Sequence, residues 1–171
     1  PIDLQNTLFV ALMEAGEEFG IKPFGIRAMD SLRIEKSYRL VGTELSIEYA
    51  AYESGWDRFV PPNKGDFIGR DALVQWREKG FDNKFVTLEV HDVTDADALG
   101  NNPIYQDGNV VGRATGGNYG FRIQKSIALA MVNPKCAEPG TKLTMDILGT
   151  MHDVTVIEES PYDPTNEKLR S

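Results

Sequence analysis

Phe85-Val86-Thr87-Leu88-Glu89-Val90-His91-Asp92 sets Phe85, Thr87, Glu89 and His91 against Val86, Leu88, Val90 and Asp92. A period of two is the repeat of an extended strand, whose successive side chains point to opposite faces. Further strands are predicted downstream over 103–106, 109–116, 127–132, 142–148 and 151–158. Asp107-Gly108 and Gly149-Thr150 stand between neighbouring pairs of them and are turn signals of the hairpin kind. Six short strands with turns between them point to a small closed antiparallel barrel rather than an open sheet.

Upstream the period changes to that of helices. Leu4, Leu8, Phe9, Leu12, Met13 and Ala15 recur at helical spacing over 3–19, with Asp3 as a candidate N-cap and Gly20 as a stop. A second helix is predicted over 25–37 and a third over 69–79, the latter closed by Gly80. Between them lies an irregular stretch, 38–60, followed by a turn at Pro61-Pro62-Asn63-Lys64-Gly65. The fold class is therefore α+β, with a helical part over 1–81 and a barrel over 82–171.

The chain has 171 residues, 18 of them Lys or Arg and 26 Asp or Glu, for a net charge of -8. Neither half is basic, so nucleic acid is not an expected partner. The apolar content, 41%, suffices for a core, and no run is long enough to suggest a membrane span. Residues 1–20 lack the basic and apolar pattern of a signal peptide. Cys136, the single cysteine, has no disulfide partner and builds no thiolate zinc site, which fits a reducing compartment. Pro1 is not an initiator methionine, and a piece of a longer polypeptide is expected.

Most motifs have plain readings. The glycine cluster 112–120 lacks the Lys-Ser/Thr that completes a phosphate loop and reads as a strand followed by a tight turn. His91 and His152 have no Cys or His at ligand spacing, so no metal is expected. Asp92, Asp95 and Asp97 depart from calcium-loop spacing. Asp163 to Asn166 reads as an extended tail able to reach a neighbouring cleft. The denser signal is 27–58, where Arg27, Arg33, Arg39 and Arg58 interleave with Glu35, Glu44, Glu48, Glu53 and with Tyr38, Tyr49, Tyr52 and Trp56. Guanidinium forks beside aromatic faces suit a planar ligand bearing a carboxylate. The competing reading is an ion-pair lattice that orders an irregular segment.

Gly25-Ile26-Arg27-Ala28-Met29-Asp30-Ser31-Leu32-Arg33-Ile34-Glu35-Lys36, Gly42-Thr43-Glu44-Leu45, Glu53-Ser54-Gly55 and Lys64-Gly65-Asp66-Phe67-Ile68-Gly69-Arg70 run in an order that resembles the aminomethyltransferase family. That family includes the glycine cleavage T-protein and the folate-binding parts of dimethylglycine and sarcosine dehydrogenases, and the latter branch is the nearer in motif. Val111-Gly112-Arg113-Ala114-Thr115, Lys125-Ser126-Ile127-Ala128-Leu129-Ala130 and Asp163-Pro164-Thr165-Asn166 resemble its C-terminal barrel. The resemblance implies the end of an α/β folate-binding domain followed by a six-stranded antiparallel β-barrel. It implies tetrahydrofolate as cofactor, with FAD only where a flavin dehydrogenase domain lies upstream, and a small amine as substrate of the intact enzyme. Arg27, Arg33, Trp56 and Arg58 are its folate-binding candidates.

The sequence departs from T-proteins at Met29, where they carry an arginine, and at Glu167, where they place a tyrosine. The family's catalytic aspartate belongs to an N-terminal part outside this chain, so the chain alone is expected to be inactive and to need that part as a partner. The expected compartment is the cytoplasm, or the mitochondrial matrix in a eukaryote. The alternatives are a folate-dependent demethylase of a sulfonium or methoxy substrate, a non-catalytic folate-binding module and a structural barrel.

Overall fold

A computed structural model describes residues 1–93 and 95–171. Among them six strands close into an antiparallel barrel: β1 (Lys84–Val90), β2 (Pro103–Gln106), β3 (Asn109–Gly120), β4 (Lys125–Val132), β5 (Lys142–Ile147) and β6 (Thr150–Ile157). The order around the barrel is β1-β4-β3-β2-β5-β6, with β6 returning to β1. The alternation read in β1 is structural. Val86, Leu88 and Val90 enter the barrel core with Ile104, Ala128, Ala130, Val132, Met145 and Val154. Phe85 lies on the outer wall with Ile127, Leu129 and Met131, where Ile34 of the helical part covers them. From Ile127 to Val132 strand β4 is apolar at every position because both of its faces are buried.

The glycine cluster is strand rather than strand and turn: β3 continues through Gly116 and Gly117 to Gly120. A Cβ on Gly112 would overlap the backbone of Met131 and Val132, and one on Gly117 would strike Ala98. Bare backbone lets neighbouring chain approach these positions. A bulge at Thr115 interrupts the pairing with β4 between Ala114 and Gly116, and it turns the Thr115 hydroxyl toward the helical part. The hairpin at Asp107-Gly108 forms with both residues at positive φ, as do Leu148 and Gly149 in the β5–β6 turn.

Helix α1 (Gln5–Gly16) is framed by 3-10 turns at Ile2–Leu4 and Glu17–Phe19, and Gly20 ends it in the left-handed region. Asp3 lies inside the first 3-10 turn and makes no cap hydrogen bond. No residue of α1 is buried, so its apolar positions Leu8, Phe9 and Leu12 remain exposed. Helix α2 (Ile26–Glu35) packs on β3 and β4. Helix α3 (Arg70–Lys79) ends at Gly80, and a single turn, α4 (Glu167–Arg170), lies near the C-terminus. No helix of the described residues is long and apolar enough to cross a membrane.

Candidate functional site

The segment from Ser37 to Val60 has little regular structure, and buried glutamates fix its shape. Glu44 is fully buried and its carboxylate accepts from the Leu40 amide at 2.8 Å, the Thr43 hydroxyl at 2.6 Å, the Thr115 hydroxyl and the Arg33 guanidinium at 3.4 Å. Burial opposes its charge, but these donors together hold its carboxyl below the ordinary value. Glu35 accepts from the amides of Arg122 and Ile123 at 2.7 and 3.2 Å, which pins the β3–β4 turn to the end of α2. Glu53 accepts from the amides of Ala50 and Asn83 at 2.8 and 3.1 Å and ties the segment to the entrance of β1. Each replaces lost hydration with several donors, as a buried carboxylate requires.

On the outer side of this frame lies a cleft of about 560 Å³, lined by Lys36, Tyr38, Arg39, Gly55, Trp56, Arg58, Phe59, Glu159, Ser160, Pro164 and Asn166. Its floor is Arg39, whose guanidinium lies 3.8 Å from the Phe85 ring centroid. Arg39 donates to the carbonyls of Ser54 and Ser37 at 2.9 and 3.1 Å and to both oxygens of Glu159 at 2.8 and 2.9 Å. One wall is the C-terminal segment. Lys36 Nζ donates to the Asp163 carbonyl at 2.6 Å and to Asn166 Oδ1 at 2.7 Å, so the tail does reach the cleft. The other wall is aromatic: the Trp56 and Phe59 rings meet at 4.9 Å with a 44° tilt, and the Arg58 guanidinium lies 4.5 Å from the Phe59 centroid.

The four residues singled out from sequence divide. Trp56 and Arg58 share the cleft wall. Arg33 is turned inward, its Nε donating to Asp30 at 2.6 Å and its NH1 to Glu44, so it belongs to the lattice. Arg27 is exposed on the first turn of α2, outside the cleft, where its charge acts on Asp97. Burial raises the Asp97 carboxyl above its ordinary value against the pull of the Tyr119 amide and Arg27, and Asp30 adds to the rise. Lys36, Arg39 and Glu159 line the cleft without having been marked as site residues. Their nearest signal was Arg39 within the dense charge of 27–58.

A second, smaller pocket of about 220 Å³ lies where Arg113 meets the segment. There Arg113 donates to the Tyr49 hydroxyl at 2.9 and 2.6 Å and to Asn101 Oδ1 at 3.1 Å, and it pairs with Glu48. His91 hydrogen-bonds Thr155 at 2.9 Å, and no group of three metal-ligating side chains occurs among the described residues.

Residues 83–163 match the family described as the glycine cleavage T-protein C-terminal barrel domain, and residues 1–64 match the GCVT N-terminal domain. Human mitochondrial dimethylglycine dehydrogenase is 39% identical over 166 residues, which is 95% of this chain and 19% of that protein. An aminomethyltransferase of Thermoanaerobacter pseudethanolicus is 32% identical over 161 residues, covering 94% of this chain and 43% of its own. The chain thus spans about a fifth of the former and under half of the latter. The crystal structure of the glycine cleavage system aminomethyltransferase T from Bartonella henselae shares the fold, with a TM-score of 0.80 at 21% identity over 96% of this chain and 45% of that one.

Proposed function

Because the chain belongs to the glycine cleavage T-protein family of aminomethyltransferases, we propose that it forms one wall of a tetrahydrofolate site. The intact enzyme would move a one-carbon unit from a small amine to that cofactor. The observation that carries this reading is the ledge of Trp56 and Phe59 with Arg58 at its edge, bordering a cleft of about 560 Å³. Such a volume is within the range of small-molecule sites. A flat ring stacks on the ledge and an acid pairs with the guanidinium, which are the two demands of a folate.

Tetrahydrofolate, when bound, supplies the nucleophilic nitrogen that takes up the one-carbon unit. The residues of this chain bind and orient it and exclude water from one side. The buried carboxylates Glu35, Glu44 and Glu53 are occupied by internal donors and are not assigned to proton transfer. Reaction chemistry falls to groups elsewhere in the intact enzyme, and FAD enters only where a dehydrogenase domain accompanies this region.

The test is calorimetric titration of the chain with 5-formyltetrahydrofolate. Binding weakened about tenfold by Trp56→Ala or Arg58→Ala, with unchanged folding, supports the assignment. Equal affinity in both variants removes it.

A further inference from the structure

The mouth of the barrel beside the β3–β4 turn holds a pocket of its own. Tyr119 and Ser126 stand opposite each other in the β3–β4 pairing, and Ser126 is also opposite Val90 of β1. Directly paired residues present their side chains on one face, and here that face is the barrel interior, to which Val90 and Ala128 belong. The segment after β1 folds back over this mouth and encloses a cavity of about 290 Å³, lined by Val93, Asp95, Ala96, Asp97, Tyr119 and Ser126. It shares no residue with the cleft around Trp56. Barrel mouths are recurrent places for small ligands.

The walls are fixed in advance. Ala98 is buried against Gly117, where a Cβ would come within 2.7 Å of it, and the Asn101 amide donates to the Ala114 carbonyl at 2.8 Å. Tyr119 is held through its backbone, the carbonyl accepting the Ser31 hydroxyl at 2.6 Å and the amide donating to Asp97. Its ring meets that of Phe121 at 5.1 Å in a T-shaped contact.

The lining combines an aromatic face, the apolar side chains of Val93 and Ala96 packed on the barrel core, and the carboxylates of Asp95 and Asp97, with no cation among them. Ser126 is only 9% exposed, yet its hydroxyl makes no hydrogen bond with any described residue. A polar group so buried calls for a partner. Asp97 also lacks a paired cation: Arg27 acts on it from outside the lining, and the neighbouring Asp30 is committed to Arg33 at 2.6 Å. A carboxylate desolvated without an ion pair is costly until a cation joins it. A metal ion does not suit the pocket, since no group of three metal-ligating side chains occurs among the described residues and much of the wall is apolar. An organic cation does, because an aromatic face attracts it and apolar groups receive its alkyl substituents.

We propose that this pocket binds a small N-methylated ammonium ion that carries no acid group. Its methyl groups rest on Tyr119, Val93 and Ala96, while Asp97 receives one N–H and the Ser126 hydroxyl a second. Asp95 and Asp97 repel a carboxylate, so an amino acid with the same head group is excluded. The site does not depend on the folate reading.

The experiment follows the backbone amide NMR signals of the isotopically labelled full chain at constant ionic strength. The chain is titrated separately with dimethylammonium chloride, ammonium chloride and N,N-dimethylglycine. Dimethylammonium should shift the Asp97, Tyr119 and Ser126 signals saturably, and the other two should bind at least about tenfold more weakly. Asp97→Asn and Tyr119→Leu should each weaken dimethylammonium about tenfold, with signals away from the barrel mouth unmoved. The absence of a saturable shift, or equal affinity for dimethylammonium and either of the other compounds, overturns the proposal. Undiminished binding to Asp97→Asn does so as well. The comparison of the three compounds is made on the native chain, so it decides the matter even if a variant does not fold.

Discussion

Ser37 and Thr87 lie 50 positions apart in sequence and share a hydrogen bond of 2.7 Å in a fully buried contact. The Ser37 oxygen also accepts the Ser160 amide at 2.9 Å, so one hydroxyl joins the segment after α2, the first barrel strand and the C-terminal tail. Thr87→Val should cost about 1–3 kcal/mol, because Ser37 keeps its burial and loses a partner. Urea unfolding of the single variants and of Ser37→Ala/Thr87→Val should show coupling of about 0.5–1.5 kcal/mol. Strict additivity would mean that the contact carries no energy of its own.

Gly112 should not accept a side chain. Its φ is unremarkable, but a Cβ would meet the Met131 carbonyl and Val132 across the sheet. Gly112→Ala should lower stability by about 1–3 kcal/mol. Gly25→Ala, with open space around it, should stay within about 0.5 kcal/mol. Thermal melting of the pair checks this, and equal melting points would contradict the close approach.

Glu44 predicts an acid dependence. Its carboxyl is held below the ordinary 4.5 in the folded chain, so its ionised form stabilises the fold at neutral pH. That contribution is complete above the ordinary value and disappears as pH falls through the lowered folded value. The stability gap between the native chain and Glu44→Gln should therefore be widest near neutrality and narrow below about pH 4.5. Denaturant midpoints taken across that range decide it, and a gap independent of pH counts against the role.

Asp97 predicts the opposite sign. Its carboxyl is raised above the ordinary 3.8 by burial, so the folded state favours the protonated acid and the ionised form is a burden at neutral pH. Asp97→Asn should stabilise the chain at pH 7, and the gain should fade as pH falls toward the ordinary value. A loss of stability at pH 7 would show that the Tyr119 and Arg27 interactions outweigh the desolvation.

The barrel was legible because period-two alternation and turn residues are local signals, and the β1 alternation separates its core face from its covered face as read. The extent of β3 was less so. Glycines suggested a turn after residue 116, yet at Gly112 and Gly117 they serve close approach of neighbouring chain and let the strand run to Gly120. The frame of the cleft was the least legible part. Sequence displayed arginines and glutamates in abundance between 27 and 58, but Glu44 is completed by Thr115, 71 positions away, and Glu35 by Arg122, 87 positions away. In the structure Arg33 belongs to the ion-pair lattice, whereas Trp56 and Arg58 line the cleft. Nothing in the spacing separated them.

The ring of strands is sealed by β1 against β6, from Thr87 opposite Ile157 to Val90 opposite Val154. The first strand to leave a ribosome must therefore wait for the last. Hairpins β2–β3, β3–β4 and β5–β6 can zip up locally, but the seam needs a partner about 65 residues downstream, a loop whose closure slows folding. Until residue 157 has emerged, β1 has an unpaired edge open to other chains. A chaperone that shields nascent β1 would act on this seam, and a truncation before β6 would lose more than one strand's worth of structure.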